Sequence, residues 1–289
     1  MAIEDIVLDQ LTPPLAARVH GPPGGRPVLA LHGWLDNAAS FDRLAPLLPE
    51  MRLVAVDLAG HGLSGHRSRE ASYVFVDWVR DVFQIAEALG WSRFSILGHS
   101  MGAGIASLAA ATLPSRIEAL ALIEGFAPLV APEDQAPVRL AQYLAALARL
   151  EAKKPAVYAT EQEALAARMA AGRFASEEGI LAVVRRGLER TEDGGWRWRA
   201  DPRLKLPSAL RFTPGQVAAF LQRIECPTLI IKALSGLLSG PATGELSDFS
   251  GLARHIRRLT TCELPGAHHL HLDDPAPVAA ALREFFRSV

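Results

Sequence analysis

The sequence predicts an α/β protein: a mostly parallel sheet covered by helices on both faces, with a helical segment inserted late in the chain. Three observations carry this. Through the first 125 residues, short runs rich in leucine and β-branched residues alternate with helical patterns, the signature of a buried parallel sheet. The alternation stops after Glu124 and resumes at Cys226. Between Phe94 and Ser115 there is no Asp, Glu, Lys or Arg over 22 residues. That run is long enough to cross a bilayer, but Ser95, Gly98, His99, Ser100, Gly102, Gly104, Ser107 and Thr112 make it too polar and glycine-rich for a span. It reads instead as the deepest part of a soluble core.

The elements follow in order. Ile6–Asp9 and Ala16–His20 are expected to form an initial hairpin. Pro27–His32, bounded by glycines, is a buried strand; Phe41–Leu48 is a short helix, and Arg52–Asp57 a second buried strand. Tyr73–Leu89 carries an apolar stripe at Val76, Val79, Val82, Phe83, Ala86 and Leu89 and ends at Gly90, a helix with a glycine stop. Arg93–Leu97 is a strand, Met101–Leu113 a helix stopped by Pro114, and Ile117–Ile123 a strand. Residues 126–215 read as helical, with Val138–Arg149, Thr160–Ala171 and Ser176–Arg190 as helices and no buried strand. Pro227–Lys232 is again a strand, Leu252–Ile256 lies on a helix, Arg258–Leu264 is the last strand, and Pro277–Phe286 a closing helix. The expected organisation is a core of residues 1–125 and 216–289 with a helical cap at 126–215.

Composition narrows the function classes. A chain of 289 residues, 49% hydrophobic and 21% charged, can build a large core without disulfides or a structural metal. A net charge of −1 gives no general pull on nucleic acid or anionic lipid. Cys226 and Cys262 are the only cysteines and lack metal-ligand spacing, so two thiols in a reducing cytoplasm are expected. The N-terminus has neither the basic nor the apolar region of a secretory signal. The stretch 134–211 holds 14 Lys/Arg against 10 Asp/Glu, read as solvated helix faces, and Trp196 and Trp198 are expected to pack the cap onto the core.

The chemistry centres on Gly98-His99-Ser100-Met101-Gly102, a G-x-S-x-G between a strand and a helix. Such a turn forces the serine into a strained conformation and needs glycine at the crowded flanks. Ser100 is the expected nucleophile, with the backbone N–H of Met101 at the helix start ready to hold an oxyanion. His32-Gly33-Trp34, at the end of the first confident strand, offers the second donor through the Trp34 N–H. A serine needs a base, and His268, His269 and His271 follow the last strand, where a loop can return across the sheet edge. The imidazole needs an orienting carboxylate. No acid occupies Ala233–Leu238, whereas Glu124 ends an otherwise apolar strand, where a carboxylate without a partner is costly. Glu124 is the expected acid and Asp248 the alternative. Asp57 is read as structural, holding the GHGLSG loop through backbone N–H groups. Trp34, His99, Phe126 and His269 are the side chains expected to line a substrate pocket. No metal is expected.

From about residue 25 to its end the chain resembles the α/β-hydrolase superfamily, through the elbow, the HGW loop and DLAGHGLSG. HGWLDNAASFDRL, GHSMGAG, LIEGFAP, WRWRADPRL and GAHHLHLDDP are similar to its serine hydrolase-like subgroup. The resemblance implies an α/β-hydrolase fold: an eight-stranded, mostly parallel sheet, a helical cap after strand 6, and a Ser–acid–His triad needing no cofactor. Haloalkane dehalogenases resemble this chain in a glutamate after the sixth strand and in a histidine seven residues before a proline, which here implies His268 before Pro275. Their nucleophile is aspartate, so Ser100 implies acyl-enzyme rather than alkyl-enzyme chemistry. The expected function is hydrolysis of a small-molecule carboxylic ester. Carbon–carbon bond hydrolysis, lactone hydrolysis and acyl transfer are alternatives, and so is ligand binding without catalysis.

Overall fold

A computed structural model describes residues 3–151, 155–172, 175–239 and 249–289. The chain opens with strands β1 (Glu4–Leu8), β2 (Leu15–His20), β3 (Arg26–Leu31) and β4 (Met51–Val56). Helix α1 (Phe75–Ala88), β5 (Phe94–His99), α2 (Met101–Thr112) and β6 (Ile117–Ile123) follow. The inserted segment holds α3 (Ala136–Glu151), α4 (Glu161–Ala171), α5 (Glu177–Gly187), β7 (Leu188–Arg190) and β8 (Trp196–Trp198). The chain then returns through α6 (Pro214–Leu221), β9 (Thr228–Ala233), α7 (Phe249–Ala253), β10 (Leu259–Leu264), α8 (Leu270–Asp273) and α9 (Pro275–Arg287).

Eight strands form one sheet in the order β1-β2-β4-β3-β5-β6-β9-β10. The first two pairings are antiparallel and the rest parallel. All parallel strands therefore end on one edge, where open α/β sheets gather ligands. The expected hairpin and strands are all present, as are the expected helices of the core apart from the one at 41–48, with the helix expected at 252–256 running instead over Phe249–Ala253. The uncharged stretch is β5 and α2: β5 is buried at every position and α2 from Gly102 to Ala111. An element covered on all sides has no place for a charge. Among the described residues no helix is long and apolar enough to cross a membrane.

The structure differs from the sequence reading in three places. Residues 188–190 leave the expected helix and pair antiparallel with Trp196–Trp198, because Gly194, at φ +79°, lets the chain turn back. The expected helix at 41–48 is two short 3₁₀ turns, Ala38–Phe41 and Ala45–Leu47, the second started by Pro46. A one-turn helix, α8, follows the last strand. Asp248, the alternative acid, lies outside the described residues.

The inserted segment packs on the body through a small apolar cluster of Ala39, Leu165, Ile180, Val183, Val184, Leu188 and Leu272, with Trp196 and Trp198 against it. It is also tied by charge. Arg186 of α5 meets Asp57, the residue after β4, at 3.0 Å, and both are buried. Asp57 accepts from Ala38 N–H at 2.7 Å and Leu63 N–H at 2.8 Å, so it holds the 58–65 loop as expected and the insert as well. Asp201 takes the Tyr73 hydroxyl at 2.9 Å and the Arg203 guanidinium at 2.6 Å, while its own N–H donates to Gly60 O.

Removing one partner of a desolvated pair strands the other. Arg186→Met should cost about 3 kcal/mol, read as a lower urea midpoint at unchanged m-value. Acid should destabilise the fold too. Burial lowers His20 to about 4, with Arg18 opposing protonation and Asp5 favouring it. Burial, with His32 beside it, lowers His61 to about 3. These groups bind protons in the unfolded chain below pH ~6.5 but not in the folded one, so each removes up to about 1.4 kcal/mol per pH unit from there down to its folded value. Asp42, raised to about 6 by burial against the pull of Arg18, acts in the opposite sense below that pH. With the lowered histidines, His271 at about 3 among them, outweighing the raised Asp42 and Asp81, urea midpoints should fall steadily from pH 6.5 to 4; a flat profile would contradict this.

Candidate active site

Ser100 stands between β5 and α2 with φ 52° and ψ −115°, a conformation that costs a non-glycine residue on the order of 1–3 kcal/mol. The flanking glycines make room for it. A Cβ at Gly98 would lie 2.6 Å from the Ala103 Cα, and one at Gly102 would overlap the Leu31 carbonyl. The Ser100 N–H donates to Ile123 O at 2.9 Å, fixing the turn to β6. As the first residue of α2, Met101 has an N–H with no intrahelical acceptor, directed from the positive end of the helix.

His268, on the loop after β10, brings Nε2 to 2.9 Å from Ser100 Oγ. Its Nδ1 lies 3.3 Å from Glu124 Oε2. A carboxylate only accepts, so Nδ1 carries the proton and Nε2 is free to take one from the hydroxyl. Glu124, at φ 50°, directly follows β6 and is 2% exposed. Its Oε1 accepts from Ala233 N–H at 2.6 Å and its Oε2 from Leu237 N–H at 2.7 Å. The acid-free stretch Ala233–Leu238 is therefore the cradle of the Glu124 carboxylate. Any side chain at Gly236 would overlap that carboxylate.

Behind His268 lies a buried histidine cluster. His99 donates from Nε2 to the His268 carbonyl at 3.0 Å, and its ring centroid is 4.9, 4.8 and 4.3 Å from those of His268, His269 and His271. His269 Nε2 meets Asp36 Oδ2 at 3.0 Å, and Arg168 of α4 meets Asp36 Oδ1 at 2.8 Å. Burial and the neighbouring histidines hold His99 well below the usual imidazole range. Burial alone would raise Asp36, but His269 and Arg168 together hold its carboxyl well below the usual carboxylate range.

The structure thus brings together Ser100, His268, Glu124 and Met101. Trp34 is half exposed on the loop after β3, and its indole donates to Leu204 O at 2.9 Å, tying that loop to the insert. Phe126 is 2% exposed and stands edge-on to Phe249 at 5.1 Å. His99 was expected beside substrate. It is fully enclosed instead, its ring committed to holding the His268 loop. His269 turns Nε2 to Asp36, and its ring borders a cavity of about 10 Å³ under α4 and α5.

A sequence profile of the alpha/beta hydrolase fold matches residues 26–170. A serine hydrolase-like protein of Dictyostelium discoideum is 32% identical over 94% of this chain and 78% of its own. One from Danio rerio is 34% identical over 94% and 85%. The chain belongs to the α/β-hydrolase fold family. Within that family it falls in the serine hydrolase-like group. The crystal structure of a hypothetical protein from Pseudomonas aeruginosa PAO1 superposes on this hydrolase with a TM-score of 0.89, at 44% identity over 100% of this chain and 99% of that one.

Sequence reasoning missed Asp36, Arg168 and the β9-loop donors of this hydrolase. Asp36 lies in the motif HGWLDN, and its burial gives it weight only once His269 is seen beside it. Backbone donors leave no mark in a sequence, although Gly236 marks where the cradle closes. Gly236→Ala should push the carboxylate away from His268 Nδ1. The check is the downfield proton resonance of His268 Nδ1–H, present in the parent protein and lost or moved upfield in the variant.

Proposed function

We propose that this hydrolase cleaves carboxylic esters through an acyl-enzyme on Ser100. The observation that carries the reading is the unbroken hydrogen-bonded series from Ser100 Oγ through His268 to Glu124, on a turn strained at φ 52°. A hydroxyl is a weak nucleophile until a base takes its proton as the bond forms. His268 Nε2 removes that proton as Oγ attacks the ester carbonyl. The imidazolium that results is stabilised by the Glu124 carboxylate, which two backbone N–H groups hold in place beside Nδ1. The oxyanion is held by the N–H groups of Met101 and Trp34, worth about 3 kcal/mol per donor in comparable sites.

His268 then protonates the leaving alcohol. A water, deprotonated by the same nitrogen, attacks the acyl group, and the acid leaves with Ser100 restored. Residues 126–215 act as a cap whose docking sets the shape of the substrate space over this edge. The Trp34 indole bond to Leu204 O joins the second oxyanion donor to that cap.

A fluorophosphonate probe should label the parent protein at Ser100 and leave Ser100→Ala unlabelled; no labelling at neutral pH would favour a binding protein on a hydrolase scaffold. On p-nitrophenyl esters of graded chain length, Glu124→Gln should lower kcat by about 10³–10⁴ with little change in KM. Near-parental turnover of Glu124→Gln would move the acid to Asp248.

A further inference from the structure

We propose that Asp36, His99 and His269 form a binding site for a borderline divalent transition metal, with Zn²⁺ as its probe, directly behind His268. The three donors come from three separate segments, and their ligand atoms all lie within 4.8 Å of one another. Asp36 Oδ2 is 3.0 Å from His269 Nε2 and 3.9 Å from His99 Nδ1. A tetrahedral ion with bonds of about 2.0–2.2 Å holds its ligands roughly 3.4 Å apart. Small side-chain rotations, of about 1 Å at the donor atoms, complete three sides of such a site.

His99 gives the independent sign. Its ring is fully buried, and among the described residues Nδ1 has no hydrogen-bond partner. Nε2–H donates to the His268 carbonyl at 3.0 Å, so the lone pair resides on Nδ1, facing Asp36. A ligating histidine shows this arrangement, its second nitrogen anchored to a backbone carbonyl. Gly33 keeps the space open: a Cβ there would lie 2.9 Å from His99 Nδ1 and 3.1 Å from Asp36 Oδ2.

The donor set decides the metal class. Two imidazoles and one carboxylate without thiolate suit Zn²⁺, Ni²⁺ or Cu²⁺ and not Ca²⁺ or Mg²⁺. Arg168 occupies Asp36 Oδ1 and leaves Oδ2 to the metal, while its charge opposes the ion. A cavity of about 10 Å³ bordered by Arg168, Gly172, Ile180 and His269 adjoins one of the three donors, with room for about one water beside it. Ligation at His269 Nε2 displaces the proton that now bridges to Asp36, which leaves to solvent.

Such a metal would act on the base from two sides. His99 holds the His268 carbonyl, and His269 is its covalent neighbour, so drawing both toward one ion turns His268 away from Ser100. Metal binding is then inhibitory. This half rests on the proposed ester hydrolysis, whereas binding does not.

The test uses full-length Ser100→Ala, which keeps the site and removes turnover, with Zn²⁺ competed against a chromophoric chelator. One equivalent should bind. Asp36→Asn and His269→Gln, checked for folding by thermal melts, should each weaken binding by at least about tenfold, and Arg168→Gln should tighten it by roughly tenfold or more. Co²⁺ should show the visible bands of a tetrahedral ion without a thiolate charge-transfer band. No stoichiometric binding to Ser100→Ala, affinity unchanged by both ligand variants, or no tightening in Arg168→Gln would each overturn the site. In the parent protein, Zn²⁺ should slow ester hydrolysis with a midpoint equal to its dissociation constant. Binding without inhibition overturns the regulatory half. A parent protein inactive on every ester without metal overturns the proposed function and leaves the site standing.

Discussion

The architecture of the catalytic edge depends on one constraint, a carboxylate buried at the end of β6. Glu124 is 2% exposed, and a charge taken out of water at that depth must be repaid by hydrogen bonds or be expelled. Three partners meet the demand: the N–H of Ala233 at the end of β9, that of Leu237 in the loop beyond it, and His268. β6 and β9 are parallel neighbours in the sheet, so their ends lie side by side and the backbone of one can solvate the side chain of the other. The Glu124 N–H donates to Ile231 O at 2.9 Å, and the carboxylate sets His268 at the distance from Ser100 that a proton transfer needs.

A second constraint acts on the imidazoles. Four histidine rings in contact would repel one another if protonated, and burial already disfavours the charge. His99 and His271 are both held below the ordinary imidazole range, His271 at about 3. Neutral rings pack as small aromatic plates, and here they fill the space between the elbow and the loop that carries His268. Asp36, the carboxylate beside His269, is matched by Arg168 from outside the core. Polar residues in this region therefore serve as packing as much as chemistry.

The fold was largely legible because parallel strands buried on both faces show as unbroken apolar runs. Ser100 was legible for a different reason: a strained turn leaves glycines at fixed places. Glu124 stood out as the only acid in ALALIEG, and the histidine was narrowed to His268 by resemblance rather than by its own surroundings. What stayed hidden was made of backbone and of distance. The Ala233 and Leu237 donors have no side-chain signature, and the 188–198 ribbon is too short for a periodicity. Asp36 meets His269 across 233 positions of sequence, which no local pattern encodes.

The way the insert is attached follows from what buried ion pairs do. Such pairs add little net stability over apolar packing, but they tolerate few geometries. Here Arg186 and Arg168 leave α5 and α4 to meet Asp57 and Asp36, each of which also organises the core: one the 58–65 loop, the other His269. An apolar seam could slide by a few ångströms with small loss, whereas these pairs break outright if it does. Docking of the insert is therefore registered, and the register is read one residue from His268. A segment placed in this way can change in composition to suit its ligand while the distance between base and nucleophile stays as it is.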